Sequence, residues 1–466
     1  MKMNLPKVKV APPAPIVSGL SETFGLSKTM ATAIAMFTIA LCILAVVWFI
    51  RSAPPNTLTI SSGPSGSKYQ QYAESYKEIL ATHGVTLRIL RSKGSQQNLH
   101  RLQSTQWNVD IGFVQGGIAD GKTLSNLVSL GSITYQPLMI FYRSPTPINR
   151  LSELMGKRIA TGALGSGTHV LALAILRANG ITGAKTTLLD VEADAAADGL
   201  LNGKLDAIFL MGDSTSIHTL QTLLHSPDVQ LYSFTQADAY VRRREFPYLN
   251  KMVLPEGALD LGKDLPAHDV VLLGPTVELV ARKDLNPAIS DLLIGVAQEI
   301  HQVATIFQKQ GEFPAPLEHT LKINDQDELQ VGADAARYYK SGKSFTYKFV
   351  GNFWLASLIN RIAVYILPLV LVLVPAIRFL PNAYKLRVRL RFYHCYRRLI
   401  RLEREAFGEL TSEQRQDLLH RLDELEQAVY RLKVPASLAD QFYALRGYIK
   451  FVRGQLNTPA PATKAG

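Results

Sequence analysis

The sequence predicts an α/β domain set between two apolar segments and followed by a basic helical tail. Between residues 51 and 350, short apolar runs alternate with amphipathic stretches, a pattern typical of α/β units with mostly parallel strands. Two apolar runs, near 30–50 and 353–380, bracket that block. Heptad-like leucines and many arginines follow the second run. We therefore expect a globular domain, two transmembrane helices and a C-terminal α-helical hairpin.

Charge is distributed unevenly along the 466-residue chain, whose formal net charge is +12. Residues 51–350 carry about 28 basic and about 28 acidic side chains, whereas residues 378–466 carry about 17 and about 9. Because the excess positive charge is confined to the tail, it is not the footprint of a nucleic-acid-binding domain. We predict no nucleic-acid partner.

The neutral block lacks the residue patterns of metal sites and of common hydrolases. Cys42 and Cys395 both lie outside it, so it has no disulfide framework, and their spacing gives no metal signature. The block contains no G-x-S-x-G and no H-E-x-x-H motif. Its scattered histidines, His169, His218 and His225, are interpreted as surface residues. We predict no catalytic residue, no metal, no cofactor and no enzymatic activity.

The first apolar run, Met30–Ile50, contains 21 residues without a charge. About 20 such residues cross the hydrocarbon core as a helix, and Trp48 suits an interfacial position. A cleaved signal peptide is the alternative, but its apolar region would be shorter. We predict an uncleaved transmembrane helix at 30–50 after a cytoplasmic segment at 1–29.

The second apolar run lies within residues 353–380 and has a charge-free centre at Ile362–Ile377. Arg361 would sit about two turns inside a membrane helix, from which its long side chain can reach the interface. Pro368 and Pro375 would kink that helix, which membrane helices tolerate. The alternative is a buried helix of a soluble core.

Basic residues beside the two runs predict the orientation of the chain. Four lysines precede the first run: Lys2, Lys7, Lys9 and Lys28. Nine basic residues follow the second: Arg378, Lys385, Arg387, Arg389, Arg391, Arg397, Arg398, Arg401 and Arg404. Since positively charged flanks remain in the cytoplasm, we predict two spans in the inner (cytoplasmic) membrane. Both termini would be cytoplasmic, and the block 51–350 would face the periplasm.

The neutral block contains the predicted strands and helices. The strand-like runs are Thr57–Ser61, Val85–Leu90, Val109–Val114, Arg158–Thr161, Leu205–Met211 and Val270–Gly274. The helix-like stretches are Tyr69–Ala81, Thr168–Asn179 and Ala193–Leu201. Ligands of such folds bind at the carboxyl ends of strands, beside helix N-termini.

Three strand-to-helix turns are rich in glycine and serine: Ser61–Tyr69, Ser92–Asn98 and Thr161–Thr168. Glycines allow backbone amides to approach a ligand, and helix N-termini favour anions. The first turn superficially resembles a phosphate-binding loop, but its glycine–lysine spacing differs. A plain turn or a helix cap is the alternative for each. Three such turns in one α/β block favour a site for a small anion.

The tail at 381–456 is predicted to form a helical hairpin on the cytoplasmic side. Its leucines recur at spacings of three and four, and Val434–Pro435 interrupts the pattern. Its arginines suit anionic lipid headgroups of the bilayer, although a charge run that only fixes topology is the alternative. Residues 457–466, rich in proline and alanine, are expected to be disordered.

The turns, in this order, resemble the TAXI family of TRAP-transporter solute receptors. The matching positions are Gly63 to Tyr69; Gly94, Ser95, Asn98 and Leu99; Asp110 to Gln115; Gly162, Gly165, Ser166, Gly167 and Thr168; and Gly203, Leu205, Asp206 and Ala207. Motifs at 273–282, 311–314, 337–342 and 353–361 are similar to the membrane-anchored branch of that family. Two departures, Gly112 and the pair Gly116-Gly117, affect the expected ligand more than the fold.

The resemblance implies a two-lobed, periplasmic-binding-protein type II fold. Lobe 1 would comprise about 55–140 and 275–330, lobe 2 about 141–274, with hinge strands near 138–143 and 270–280. It implies ligand-binding residues in the cleft at Ser65, Tyr69, Ser95, Asn98, Gln115, Gly165, Ser166 and Thr168.

The ligand implied is a small organic anion, namely a dicarboxylate, a 2-oxo acid or an amino acid such as glutamate, delivered to TRAP-type membrane permease subunits. The tail leaves a second function open, that of a membrane-anchored periplasmic sensor that signals ligand binding through its cytoplasmic helices.

Overall fold

The computed structural model describes residues 28–118, 124–308, 321–322, 328–407, 410–432, 434 and 438–457. The predicted N-terminal segment and the predicted disordered tail fall almost entirely outside these residues. The chain divides into two compact units. One is Ala53–Ile359, and the other combines Met1–Ser52 with Asn360–Gly466.

All the strands that the structure describes lie in the unit Ala53–Ile359, where they alternate with helices. In chain order the strands are β1 Thr57–Ser61, β2 Thr86–Leu90, β3 Ile111–Gln115, β4 Leu127–Tyr135, β5 Met139–Tyr142, β6 Arg158–Ala160, β7 Thr187–Leu189, β8 Ala207–Leu210, β9 Gln230–Leu231, β10 Asn250–Leu254, β11 Val270–Gly274, β12 Thr276–Arg282, β13 Leu321–Lys322 and β14 Glu328–Leu329.

Helices run throughout both units. In chain order they are α1 Lys28–Arg51, α2 Lys68–Thr82, α3 Ser95–Gln103, α4 Gly167–Ala178, α5 Ala193–Leu201, α6 Ile217–Leu224, α7 Ala237–Val241, α8 Pro287–His301, α9 Ala333–Ser341, α10 Phe345–Phe349, α11 Phe353–Arg361, α12 Leu367–Ala406, α13 Ser412–Tyr430 and α14 Ala439–Asn457. A 3₁₀ turn at Leu151–Leu154 and a π-helical turn at Ile362–Ile366 complete the set.

The first five-stranded sheet has the order β2–β1–β3–β12–β4. Strand β1 is parallel to β2 and β3, because α2 and α3 supply the crossovers that parallel pairing requires. Strand β12 is antiparallel to both its neighbours. Alternate residues of the central strands, such as Leu58, Ile60 and Phe113, pack against α2 and α8 in the main core. We call the layers built on this sheet lobe 1.

The second five-stranded sheet has the order β7–β6–β8–β5–β9 and forms lobe 2. Strands β6, β7 and β8 are parallel, and β5 is antiparallel to its neighbours. Strand β8 shows that the sheet is covered on both faces. Phe209 packs in one core cluster, whereas Ile208 and Leu210 pack in another, since side chains alternate between the faces of a strand. These mixed sheets confirm the predicted α/β class.

Within the residues that the structure describes, the chain crosses between the lobes twice, and the two crossings lie side by side. The Leu138 amide donates to Leu273 O at 2.8 Å, and the Gln136 amide donates to Pro275 O at 2.9 Å. A Cβ atom on Gly274 would lie 2.0 Å from Gln136 O, so only glycine permits this approach. These paired crossings lie within the ranges expected for the hinge strands, and their role as a hinge stays a prediction.

Among the described residues, one apolar helix, Phe353–Pro375, has the length and composition to cross a membrane. Only 6% of its apolar window is buried within the protein, which disfavours the alternative of a soluble core helix. Helix α1 is continuous, but its described apolar stretch, Ala35–Arg51, is shorter. The first span, and with it the two-span topology, therefore stays a prediction.

Within the unit that contains α1, the Arg361 side chain is tied to α1. Its guanidinium lies 4.8 Å from the centre of the Phe49 ring, and it donates to Phe49 O at 3.2 Å. The π-helical turn ends two residues before Pro368, which cannot donate to the carbonyl four residues earlier. Helix α12 continues well beyond the apolar run into the basic region.

Three helices of the tail share one apolar core. Buried residues at helical spacing on α13 include Leu418, Leu422, Leu425 and Val429. They pack with buried residues from the second half of α12 and from α14. A capping box between Thr411 and Gln414 begins α13. The arginine-rich tail is therefore a packed helical bundle rather than an isolated charged helix.

Candidate functional site

The three glycine- and serine-rich turns meet where the carboxyl ends of the two sheets face each other. In lobe 1, Ser67 caps α2 and accepts from the Gln70 amide at 3.3 Å. The Lys68 amide donates across the cleft to Gly212 O at 3.1 Å, and the Gln97 amide donates to Gly165 O at 3.0 Å. The lobes are therefore in direct contact at this edge.

Tyr69, Ser95 and Gln115 form a buried cluster in lobe 1. The Tyr69 hydroxyl lies 2.9 Å from Ser95 Oγ, which also accepts from the Gln115 amide at 3.3 Å. Burial is the main reason that the pKa of Tyr69 is well above its usual value, so its phenol stays protonated. The Gln115 side chain accepts from Gln136, at the first crossing between the lobes, at 3.4 Å. The cluster therefore links the cleft to that crossing.

Asn98 has its side-chain amide fully engaged within lobe 1. Its Oδ1 accepts from Ser61 Oγ at 2.6 Å, and its Nδ2 donates to Ser62 O at 2.7 Å and Phe113 O at 2.9 Å. The side chain is fully buried and ties the ends of β1 and β3 together. No proton of this amide remains for a solute.

The turn before α4 in lobe 2 combines a cap with a hydroxyl that faces the cleft. Ser166 caps α4, because its Oγ accepts from the His169 amide at 3.1 Å and donates to Ala163 O at 2.7 Å. Gly165 contributes its carbonyl to the contact with Gln97. Thr168 Oγ1 donates to Asp213 Oδ1 at 2.8 Å.

A cavity of about 200 Å³ lies between the turns of the two lobes. It is lined by Pro64, Ser65, Ser92, Lys93, Gly162, Ala163, Thr168, Glu192, Ala193, Asp194, Phe209, Leu210, Ser214 and Ser216. Of the predicted ligand-binding residues, Ser65 and Thr168 line it. The others do not line it: Tyr69 lies on α2, Ser95 and Asn98 on α3, Gln115 at the end of β3, and Gly165 and Ser166 in the turn before α4. Its size suits a solute smaller than a typical drug-sized ligand.

Asp213 is the principal residue that the sequence reasoning missed. It lies in the turn after β8, and its side chain is fully buried. Oδ2 accepts from the Gly167 amide at 2.7 Å and, at the longer distance of 3.5 Å, from the Ser95 amide. Oδ1 accepts from the hydroxyls of Thr168 and Ser214, at 2.8 and 2.9 Å.

Burial raises the pKa of Asp213, and these four donors oppose that shift. The sequence around Asp213 does indicate a site. The run Met211-Gly-Asp-Ser-Thr-Ser216 is a small, polar turn directly after a predicted strand, like the three glycine- and serine-rich turns.

Three further charged residues line the cavity and were also missed. Lys93 precedes α3, and Glu192 and Asp194 begin α5. Thr219 donates to Asp194, which fixes that carboxylate at the cavity wall. In the described part of the chain, no group of three or more His, Cys, Asp or Glu side chains could hold a metal ion.

Comparison with known proteins identifies the family. The profile of the NMT1-like family matches residues 60–294, a region that contains nearly all of both five-stranded sheets and the four strand-end turns. The chain belongs to the NMT1-like family. Membership supports the predicted solute-binding protein and is consistent with the predicted lack of enzymatic activity. The finer resemblance to TAXI receptors stays a prediction.

Solved structures similar to this NMT1-like chain include binding proteins. The periplasmic aliphatic sulphonate binding protein SsuA from Escherichia coli is 19% identical over 38% of this chain, with a TM-score of 0.29, and the match spans 56% of the SsuA chain. The alkanesulfonate-binding protein SsuA from Xanthomonas axonopodis pv. citri, bound to MOPS, is 17% identical over 53% of this chain and 73% of its own, with a TM-score of 0.32. An ancestral arginine-binding protein bound to arginine is 14% identical over 53% of this chain and 92% of its own, with a TM-score of 0.33.

Proposed function

We propose that this protein is a membrane-anchored, extracytoplasmic solute receptor that binds a small organic solute between its two lobes. The observation that carries the proposal is the cavity of about 200 Å³ walled by strand-end turns from both lobes. Membership of the NMT1-like family supports it. Ligands of α/β folds bind at this edge of the sheet, and a cavity shared by two lobes couples binding to their closure.

The predicted ligand class is a small organic anion: a dicarboxylate, a 2-oxo acid or an amino acid such as glutamate. The ammonium group of Lys93 in the cavity wall supports a carboxylate-bearing solute. Delivery to the permease subunits of a TRAP-type secondary transporter is proposed from the sequence motifs. The apolar helix Phe353–Pro375 would keep the receptor beside such a permease in the lipid bilayer.

Solute binding to the full-length protein in detergent tests the proposal. Calorimetry and thermal denaturation would be measured with dicarboxylates, 2-oxo acids and amino acids. Ala193→Trp fills the cavity wall and should abolish binding, because the indole takes the space of the solute. Ala195→Trp, at an exposed position of the same helix, is the matched control and should bind normally. Absence of binding to every solute, or equal binding by both variants, contradicts the proposal.

A second candidate function is a sensor that signals through its tail. The packed core shared by α12, α13 and α14 favours it, since a run that only fixes topology needs no such core. Deleting residues 385–466 while measuring solute uptake separates the two functions. Unchanged uptake leaves the tail free for signalling, whereas abolished uptake indicates that the tail serves the transporter.

A further inference from the structure

Asp213 occupies the position that an anionic ligand would take at two helix starts. The first amides of a helix have no partner within the helix and carry partial positive charge. Those of Ser95 in lobe 1 and Gly167 in lobe 2 both donate to Asp213 Oδ2. With Thr168 and Ser214 on Oδ1, the carboxylate has four donors. The donors expected to hold a solute carboxylate are therefore already engaged by the protein itself.

The local backbone is shaped to admit this side chain. Gly94 caps α3 without a side chain, at a φ of 127°. A Cβ atom there would lie 2.4 Å from Asp213 Oδ2. The loop that carries Asp213 is also held against lobe 1, because Lys68 donates to Gly212 O and Ser67 forms a β-bridge with Ser216. Asp213 is thus a fixed part of the contact between the lobes.

Four of the five hydroxyl groups that line the cavity, those other than Ser65, direct their protons away from it. Ser92 Oγ donates to Ser62 O at 2.9 Å, while Thr168 and Ser214 donate to Asp213. The Thr219 hydroxyl donates its one proton to Asp194. Ser216 Oγ lies 2.7 Å from Thr219 Oγ1 and therefore donates to it. Each of these hydroxyls can only accept a hydrogen bond from a solute.

The same wall carries two carboxylates, Glu192 and Asp194, against one ammonium group, Lys93. Hydrogen-bond acceptors therefore dominate the cavity. A buried acceptor without a donor destabilises a complex, so a solute that supplies several N–H donors fits this wall better than one that supplies only oxygens.

This inference rests on the proposed function. We propose that Asp213 determines the solute class. Its carboxylate occupies the paired helix starts, and the cavity beside it binds a small amino acid through the ammonium group of that amino acid. The solute presents that ammonium to the acceptor wall and its own carboxylate to Lys93. Among the three predicted ligand classes, the acceptor-rich wall selects amino acids over 2-oxo acids and dicarboxylates.

Matched solute pairs test this selection on the full-length protein. L-Glutamate and 2-oxoglutarate share both carboxylates and differ only in an ammonium against a keto oxygen. We expect the wild type to prefer glutamate by about tenfold or more in Kd, because the keto analogue leaves wall acceptors unpaired. Asp213→Asn should reduce the preference, and Asp198→Asn, which removes an exposed charge elsewhere on α5, should retain it. Equal or tighter binding of 2-oxoglutarate by the wild type overturns the proposal.

Chemical rescue tests the role of Asp213 without knowledge of the solute. Asp213→Ala removes the carboxylate and vacates its site, so formate should raise the thermal stability of this variant. The wild type and Asp213→Asn, whose side chains fill the site, should show no such gain. If Asp213→Ala folds only with formate, that dependence supports the proposal, whereas no gain from formate overturns it.

The two proposals fail in different ways. If no solute binds, or if Ala193→Trp leaves binding intact, the receptor function is wrong, while formate rescue still reports whether Asp213 is the resident anion. If solutes bind and Ala193→Trp blocks them but 2-oxo acids are preferred, the receptor function holds and the selection by Asp213 is wrong.

Discussion

Two buried carboxylates in the domain have very different surroundings. Asp213 lies between the lobes and accepts from two helix-start amides and two hydroxyls. Glu278 lies within the first sheet on β12, where Ser129 and Ser132 donate to it. Burial raises the pKa of both, and that of Glu278 rises to about 7. The amides around Asp213 carry fixed dipoles that favour its ionised form. The two hydroxyls around Glu278 offset less of the free-energy cost of desolvating its charge.

Burial alone does not decide what a carboxyl group does. The donors around Asp213 suit an anion and come from both lobes, which places its charge in the cleft. The surroundings of Glu278 favour its protonated form. The folded state is therefore most stable at a pH at which Glu278 is protonated. One residue therefore bears on solute selection, and the other on the pH dependence of stability.

The largest expected effect is the pH dependence that Glu278 contributes. Its folded pKa, about 7, is raised above the unfolded value near 4.5, so the unfolded state ionises first as pH rises. Stability should therefore fall between about pH 4.5 and 7 and level off above, by on the order of 3 kcal/mol. Chemical denaturation across this range checks the fall. Glu278→Gln should lack this part of the slope, and an unchanged slope in the variant would show that Glu278 is not its source.

A smaller effect is expected when the donors around Asp213 lose their acceptor. Asp213→Ala leaves buried amides and hydroxyls without a partner and should cost about 2 kcal/mol at neutral pH, without formate. Asp198→Asn, exposed on α5, should change stability by less than about 0.5 kcal/mol. Denaturant midpoints measure both. Equal effects of the two substitutions would mean that the four contacts add nothing to stability.

The loss of a single hydrogen-bond donor to Asp213 should have a still smaller effect on stability. Thr168→Val removes one hydrogen bond to Asp213 and should cost about 1 kcal/mol. Thr222→Val is the matched control, because its hydroxyl donates to His218 O at an exposed position. A double-mutant cycle with Asp213→Asn should reveal coupling for Thr168 and none for Thr222. Additivity at Thr168 would contradict the contact.

Much of the α/β framework follows from short-range pattern. The predicted runs Thr57–Ser61 and Val270–Gly274 coincide with β1 and β11, and Ala193–Leu201 coincides with α5. Continuous apolar residues between turn residues identify buried strands because such strands are covered on both faces. Strand β4 escaped prediction, since two serines and a threonine interrupt its apolar pattern. Strand β5 has only four residues and was expected only through the resemblance, as a hinge strand near 138–143.

The site was predicted less completely than the framework. The turns around Ser65, Ser95 and Thr168 were identified, because glycine and serine between a strand and a helix mark such a turn. Their roles depend on partners elsewhere: Asn98 is engaged by the ends of two strands, and Ser166 serves as a helix cap. Residue types alone do not distinguish a hydroxyl that faces a solute from one that caps a helix.

The order of strands and helices, the glycine- and serine-rich turns and the apolar and basic segments were set by the sequence alone, because periodicity and turn chemistry are local. The tertiary fold alone brings Asp213 to the amide of Ser95, 118 residues away in the chain. It also fixes where four of the five cavity hydroxyls direct their protons. Those choices depend on which strand ends meet across the cleft, and no local pattern encodes that meeting.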